Sequence, residues 1–283
     1  MRPIGKKIMS STALSAVDQN EVNSLLNALN GGGSSDDVIK VPFLKVQYDN
    51  DDAQGRDVKR GSLTLSDMDE PIYADTLKIR VLAQHFQYRQ SDPQTYKIVN
   101  KSILMDDMRK REPRDMKGTI RCGRPDGKTL KTLSEEEQGN WRATVKAFRI
   151  VRGIVSGQGR TADGDVVDLE NQPFQMFLKG MNFMPFEDQV IKALPGSKQL
   201  HDVWADLTTS KSGKAFLINF AIDHKIEAIM DTDTVETLKV FFEMAKTENA
   251  RIEEAYKSAS WERQSMDAAQ NAMDGTDLEA DFV

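Results

Sequence analysis

Cysteine, histidine and long apolar runs are scarce in this sequence, and each scarcity argues against a class of protein. Cys122 is the single cysteine among 283 residues, so neither an internal disulfide nor a thiolate metal cluster can form. The three histidines are far apart and lack the short spacings of local zinc sites. No run of about 18 apolar residues occurs, and the charged start is not followed by the apolar stretch of a signal peptide. We therefore expect a cytoplasmic protein without a membrane segment, cofactor or metal.

Motifs of nucleotide-hydrolysing and metal-dependent enzymes are absent or too short to be specific. Residues 123–129 end in Gly-Lys-Thr like a phosphate-binding loop, but three residues instead of four follow the first glycine. Asp115 and Asp126 each stand two residues before a lysine, as in the short end of a nuclease metal site. We expect no catalytic residue and no enzymatic activity. A metal-dependent nuclease is the third of three functional hypotheses.

Positive charge is concentrated in the middle of an acidic chain. The net charge is −6, yet residues 78–152 hold 18 basic and 9 acidic side chains. Residues 271–283 hold four acidic side chains and no basic one. A basic segment of this kind is typical of a phosphate-binding surface, although basic and acidic stretches that pair on a mixed surface would give the same asymmetry.

Alternation of apolar and polar residues predicts a protein rich in strands. The strands are expected over residues 38–48, 58–65, 76–90, 95–104, 141–157, 172–180 and 214–223. Helices are expected between the last two strands, over about 184–194 and 199–207. Residues 105–140 combine many cations with glycines and predict a long basic loop. The expected fold class is α+β, mainly antiparallel β.

Helical periodicity marks both ends of the chain. Residues 12–30 carry an amphipathic stripe and lead into a Gly/Ser tether. Apolar residues near the C-terminus step by three and four, and this seam either packs on the sheet or joins two copies, with Asn249 as a polar register mark. Self-association is therefore an open alternative. The predicted organisation is an N-terminal helix and linker at 1–37, a core at 38–230, a helix at 231–262 and a disordered acidic tail at 263–283.

Two predicted strands, 76–90 and 141–157, combine cations and aromatics on one face with apolar residues on the other. Unpaired bases stack on aromatic rings with about 1–3 kcal/mol each, and cations neutralise the phosphates beside them. The stacking candidates are Phe86, Tyr88 and Phe148, and the phosphate-binding candidates are Lys78, Arg80, Arg89, Lys101, Arg121, Arg124, Lys146, Arg149 and Arg152. Each aromatic ring could instead belong to the core. No basic helix suited to the major groove of a duplex is present in the sequence.

A tethered N-terminal segment, a basic β-rich middle and an acidic tail with a late Phe together resemble the single-stranded DNA-binding proteins of bacteriophages and bacteria. The resemblance implies an elaborated OB-fold-like barrel with long basic loops that coats strands in DNA replication, recombination and repair, in the host cytoplasm if the protein is viral. It also implies a tail that recruits replication and recombination proteins and competes with DNA. The tail residues that match are Asp274, Asp277, Glu279, Asp281 and Phe282. Val283 departs from the family pattern, in which the chain often ends on the aromatic residue itself.

Three functions are thus open from the sequence. The first is sequence-nonspecific binding of single-stranded DNA, which the basic segment and the stacking candidates favour. The second is a protein-interaction or virion structural component, which the two tethered ends and the helical seam favour. The third is the nuclease.

Overall fold

The computed structural model describes residues 41–109, 112–226 and 228–276. Within these residues nine strands form one mixed, mostly antiparallel sheet, which a long C-terminal helix accompanies, so the predicted α+β class is confirmed. The strands are β1 (Phe43–Val46), β2 (Leu63–Ser66), β3 (Ile72–Ala74), β4 (Thr76–Ser91), β5 (Ile98–Lys101), β6 (Val145–Arg160), β7 (Val166–Leu178), β8 (Trp204–Ser212) and β9 (Ala215–Asp223). The predicted N-terminal helix and tether lie outside the described residues.

The strand order is β3-β2-β1-β7-β6-β4-β8-β9, with β5 paired to β4. Two connections consist of a single residue pair each: the link between β1 and β7 within this order, and an additional one between β3 and β6. Phe43 of β1 lies opposite Gln175 of β7 in the parallel sense, and Tyr73 of β3 lies opposite Arg160 of β6 in the antiparallel sense. Because β3 and β4 follow each other directly, β6 runs antiparallel to both in succession.

A β-bulge in β4 changes the faces that the sequence predicted. Val81 pairs with Gly153 and Ala83 pairs with Arg152, so Leu82 is the extra residue. Residues opposite each other in an antiparallel pair share a face. The inserted residue therefore shifts the register of the later part of β4 by one. Because side chains alternate with period two, those after Leu82 lie on the face opposite to the one that regular alternation predicts.

The largest apolar cluster lies on the face that carries Leu77 and Ile79 of β4. It also contains Val151 of β6, Phe174 of β7 and Leu207 of β8, all fully or almost fully buried. Residues 199–207, predicted as one helix, divide into a 3₁₀ turn at Leu200–Asp202 and the start of β8, where Ala205 and Leu207 alternate into this cluster beside β4. The sheet thus has one largely apolar face, which this cluster covers.

Two helices interrupt the predicted basic loop. They are α1 (Gly127–Thr132), which Asp126 caps, and α2 (Glu135–Thr144), which begins with a capping box of Ser134 and Glu137. The third helix, α3 (Phe183–Phe186), continues into a π-helical turn at Glu187–Ile191. The loop-rich basic insert predicted over 105–140 thus also contains helices, because local capping residues start them there.

The C-terminal helix α4 (Thr232–Thr276) is longer than predicted and packs on the sheet. It continues past residue 262, so the segment 263–276 is helical and not a disordered tail; residues 277–283 lie outside the described residues. Phe242 belongs to the predicted seam, because it lies four residues after Leu238 and three before Ala245. It is 64% exposed and its neighbour Phe241 is buried, so the seam is displaced by one residue at that point. Asn249 does not mark the register between two helices here, because its side chain accepts from the backbone N of Leu104 and donates to the backbone O of the same residue.

Candidate nucleic-acid interface

Arg80, predicted to bind phosphate, is a structural residue. It is 2% exposed, and its guanidinium donates to the carbonyl oxygens of His201 at 2.7 Å and Ile229 at 2.6 Å. Burial lowers the pKa of Arg80, and the carboxylates of Asp231 and Asp202 oppose that shift. The side chain therefore ties β4 to the segment before α4 and is not available to a ligand in this structure.

Phe86 and Arg149, also predicted as site residues, lie together on the core side of the bulged part of β4. They are opposite each other in the β4–β6 ladder, with the guanidinium carbon of Arg149 5.1 Å from the ring centroid of Phe86. Arg149 is 2% exposed and donates to Glu187 at 2.7 Å and to Gln84 at 2.9 Å. The bulge in β4 is the reason why Phe86 is not on the predicted nucleic-acid face, because it turns the side chain of Phe86 to the core face.

Three further predicted cations are engaged by carboxylates. Lys78 contacts Asp223 at 2.5 Å and Asp206 at 3.1 Å. Lys101 and Arg152 contact opposite oxygens of Glu248 on α4, at 2.8 and 3.7 Å. Arg152 is 3% exposed. Helix α4 thus covers part of the face that alternation had assigned to nucleic acid.

The other predicted residues differ in accessibility. Phe148 is buried and Tyr88 is half-buried, and both rings pack in apolar clusters beside α4.

Arg121 has a left-handed backbone, with φ 56°. Arg124 donates to the carbonyl oxygen of Val145 at 3.2 Å, and Val145 directly precedes Lys146 in the chain. Arg121 and Arg124 have no ion-pair partner among the described residues.

One group of predicted residues does come together, at the end of the sheet where β4 ends and β6 begins. Arg89 and Lys146 are opposite each other in the ladder, and the guanidinium carbon of Arg89 lies 5.1 Å from the ring centroid of Phe148. Strand β7 adds Phe177, whose ring centroid is 4.2 Å from that carbon, and Lys179 follows the strand with its ammonium 5.5 Å from the Phe148 ring. We call these five residues the cationic–aromatic cluster.

Positive charge dominates the cluster, although burial lowers the pKa of Arg89 and the charge of Glu248 opposes that shift. Burial lowers the pKa of Lys179, and the nearby charges of Lys146 and Arg89 lower it further. None of the three cations makes an ion pair with a carboxylate of the described residues. Three like charges held close together favour an anion in their midst, because it relieves their mutual repulsion.

An aromatic groove adjoins the cluster. Its cavity is about 480 Å³, and it shares Phe177 and Lys179 with the cluster. The Phe43 and Phe177 rings lie 5.1 Å apart, and the Tyr48 ring meets Phe216 edge-on at 5.8 Å. Phe43 and Phe177 are half-buried, Tyr48 is 45% exposed, and Lys45 is exposed beside them. The groove therefore offers apolar ring surface next to lysines.

Sequence reasoning missed this groove, although a signal was present. In β1, Phe43 and Lys45 alternate with the buried Leu44 and Val46. The same pattern recurs where Phe177 and Lys179 alternate with core residues at the end of β7. These strands lie outside the most basic segment, so charge density directed attention elsewhere.

The two carboxylates of the nuclease hypothesis bond to nearby backbone groups. Asp115 is 0% exposed and accepts from the backbone N of Lys117, Thr119 and Cys122. Asp126 caps α1 by accepting from the backbone N of Lys128 and Thr129. Across the ranges that the structure describes, no three His, Cys, Asp or Glu side chains are grouped to hold a metal. Among the described helices, none is both long and apolar enough to cross a membrane.

Comparison of the chain with protein-family models, with curated proteins and with solved structures gave no match.

Proposed function

We propose that this protein binds single-stranded DNA without sequence preference, at the cationic–aromatic cluster and the aromatic groove. The observation that carries the proposal is the convergence of Arg89, Lys146 and Lys179 on the rings of Phe148 and Phe177, with no carboxylate of the described residues paired to them. Each such cation can neutralise a phosphate and release a counterion. The half-buried rings of the groove supply surface on which any base can stack.

An unpaired strand fits this arrangement better than a duplex. Rings at the bottom of a groove reach a base face only when that base is unstacked from its neighbours. The cations at the end of the sheet, together with Lys45 along the groove, would follow the backbone of such a strand. Stacking and phosphate contacts serve DNA and RNA alike, so the choice of DNA rests on the resemblance to single-stranded DNA-binding proteins. That resemblance also suggests a role in coating strands during replication, recombination and repair.

We also propose that strands β1, β2, β3, β6 and β7 form an OB-like barrel. The two single pairs Phe43–Gln175 and Tyr73–Arg160 support this proposal, because they connect these five strands into a ring of neighbours. OB folds are five-stranded, partly open barrels that bind oligonucleotides. An experimental structure in which β3 and β6 are not neighbours would overturn the barrel.

The binding proposal is tested by titrating labelled oligothymidylate at several salt concentrations between about 50 mM and about 200 mM. Wild type should bind with an affinity that falls steeply with salt. Removing one phosphate contact, as in Lys146→Ala, should reduce the slope of log K against log salt by about 0.7. Phe177→Ala should weaken binding by about 1–3 kcal/mol and leave the salt slope nearly unchanged, because it removes a stacking surface and no charge.

A matched control is Lys59→Ala. Lys59 is an exposed lysine paired with Asp75, next to the opposite end of β4. This variant should bind as wild type does. Weak binding of wild type with no salt slope would reject the proposal and favour the protein-interaction or virion component. Equal losses in Lys59→Ala and Lys146→Ala would reject the location of the site.

The acidic tail is the second part of the proposal. Asp274, Asp277, Glu279, Asp281 and Phe282 would recruit replication and recombination proteins and compete with DNA for the cationic–aromatic cluster. Deletion of residues 271–283 should then tighten binding at low salt and abolish partner recruitment. Unchanged affinity together with unchanged partner binding would show that the tail has neither role.

A further inference from the structure

The turn between β4 and β5 is held in one shape by a dense set of hydrogen bonds. The backbone N of Asp92 donates to the Lys97 carbonyl, and the backbone N of Tyr96 donates to the Asp92 carbonyl, both at 2.9 Å. One carboxylate oxygen of Asp92 accepts from the backbone N of Gln94 at 3.0 Å and of Thr95 at 2.7 Å, and from the Thr95 hydroxyl at 3.0 Å. These hydrogen bonds lower the pKa of Asp92, so the carboxylate is ionised at neutral pH.

Tyr96 occupies an unfavourable position in this turn on two counts. Its φ is +57°, in the left-handed region that Gly and Asn tolerate best and that disfavours a residue with a bulky side chain. Its side chain is 81% exposed, the largest value for a large hydrophobic or aromatic residue in the part of the chain that the structure describes. Packing does not compensate for the backbone strain. The hydrogen bonds of the turn hold this strained backbone in place, and strain held in this way at an exposed aromatic residue motivates a functional hypothesis.

The turn extends directly from the cationic–aromatic cluster. Arg89 of the cluster pairs with Lys101 across the hairpin, and Ser91 pairs with Ile98 at the last step before the turn. Ser91 lies two positions after Arg89 in the strand, or about 7 Å away at the usual rise per residue. Lys97 stands beside Tyr96, exposed and without an ion-pair partner among the described residues.

We infer that Tyr96 is a stacking platform for a nucleobase that lies beyond the cluster, with Lys97 beside it for the phosphate of that nucleotide. The inference rests on the proposed function and extends the same site. The ligand is one further unpaired nucleotide of any base, because every base has a face that can stack on the ring. A rigid turn suits this role, since the ring is held in place before the strand arrives.

A protein partner would need a continuous apolar surface at this place. Ile98 and Val99 are 47% and 42% exposed, and the exposed Lys97 lies between them and Tyr96 in the sequence. Singly exposed apolar residues of this kind are common on protein surfaces. The neighbouring cations therefore favour a nucleotide over an apolar protein surface.

The test compares Tyr96→Gly and Tyr96→Phe with wild type on oligothymidylates of about 4 to about 16 nucleotides. Tyr96→Gly removes the ring and also relieves the backbone strain, so the folded protein should be at least as stable as wild type. On the longest oligonucleotides it should bind roughly fivefold to a hundredfold more weakly. On oligonucleotides too short to reach the turn it should bind as wild type does. Tyr96→Phe keeps the ring and should bind as wild type at every length.

A second measurement locates the contact. Irradiation of wild type with a 5-iodouracil oligonucleotide should crosslink the tryptic peptide of residues 90–97, whose single aromatic residue is Tyr96. Crosslinks of the oligonucleotide to other peptides of the chain without any to this one would overturn the inference. The inference would also be overturned if Tyr96→Gly bound long oligonucleotides as tightly as wild type while Phe177→Ala bound them more weakly. That result would leave the proposed function intact. Absence of salt-dependent binding by wild type would instead reject both.

Discussion

Glu248 of helix α4 accepts a hydrogen bond from the ammonium of Lys101 at 2.8 Å, and the same oxygen accepts from the amide of Gln87 at 3.1 Å. Its other oxygen lies 3.7 Å from the Arg152 guanidinium. One carboxylate thus neutralises two cations that the sequence had assigned to phosphate. Burial by itself would raise the pKa of Glu248, but the charges of Lys101 and Arg152 and the hydrogen bonds from Lys101 and Gln87 outweigh burial and lower it.

The first prediction is that Glu248 makes stability depend on pH in the acidic range. Because the pKa of Glu248 in the folded protein is depressed below its ordinary value of 4.5, the stabilisation is present above that value and is lost as pH falls through the folded pKa. Glu248→Gln should lose about 3 kcal/mol of unfolding free energy at neutral pH, since Lys101 and Arg152 lose their partner. Its stability should then fall less than that of wild type below about pH 4.5.

Thermal unfolding followed by circular dichroism from about pH 7 to about pH 3 measures this difference. Glu243→Gln is the matched control, because Glu243 pairs among the described residues only with the exposed Lys246, one turn along the same helix. That control should change stability by less than about 1 kcal/mol. Parallel pH curves for wild type and Glu248→Gln would contradict the prediction.

The second prediction separates two cations of strand β6 that are three positions apart. Arg149→Met should destabilise the protein by about 3–5 kcal/mol, because Glu187 and Gln84 lose a buried partner. Lys146→Ala should change stability by no more than about 0.5 kcal/mol, since Lys146 is exposed, and should weaken DNA binding. Urea unfolding and oligonucleotide titration of both variants give the comparison. A stable Arg149→Met protein with impaired DNA binding would show that Arg149 contacts phosphate after all.

The third prediction concerns Gly153, opposite Val81 at the bulge in β4. A Cβ atom at Gly153 would collide with the carbonyl oxygen of Arg80, a backbone atom that cannot swing away. Gly153→Ala should therefore cost about 1–3 kcal/mol through overpacking. Gly139→Ala is the matched control, because Gly139 lies inside helix α2 with no atom close to its Cβ position. The control should stabilise the protein by about 0.5–1 kcal/mol, and equal effects of the two variants in urea unfolding would refute the bulge geometry.

The fourth prediction concerns the edge of strand β9, which ends the strand order. The Asn182 side chain accepts from the backbone N of Ile218 at 2.8 Å and donates to the Phe216 carbonyl at 3.2 Å, and the Gln189 side chain accepts from the backbone N of Phe220 at 2.7 Å. These contacts occupy backbone groups that could otherwise pair with a strand of another molecule.

Asn182→Ala should cost about 1–3 kcal/mol and increase aggregation, since it leaves backbone groups of β9 without partners. Unfolding and light scattering on heating measure the two effects. Asn219→Ala is the control, because the Asn219 amide bonds only the exposed Ser210 hydroxyl. If both variants aggregate to the same extent, the side-chain contacts of Asn182 are not what protects the edge of β9 from aggregation.

Local patterns predicted the class of the fold because their causes are local. Alternation predicted most of β4 and β6, and the predicted helix from residue 231 agrees with the start of α4, where the Asp231 side chain accepts from the backbone N of Thr234. The capping signals at Asp126 and Ser134 were equally visible in the sequence but were overlooked in favour of the surrounding glycines. Residues 204–207 were misassigned to a helix, because a short apolar stretch fits a helix and a buried strand equally well.

The sequence by itself determined where cations and aromatics are dense and which strands carry them. Only the tertiary structure decided which of these side chains are accessible. One extra residue at Leu82 turned Phe86 to the core, and Glu248, almost 150 residues from Lys101, neutralised the cations beneath α4. Bulges and long-range ion pairs leave no periodic trace, because they depend on partners distant in the chain. For the same reason Phe177 and Lys179 could join Arg89 and Lys146 only after β7 had paired with β6.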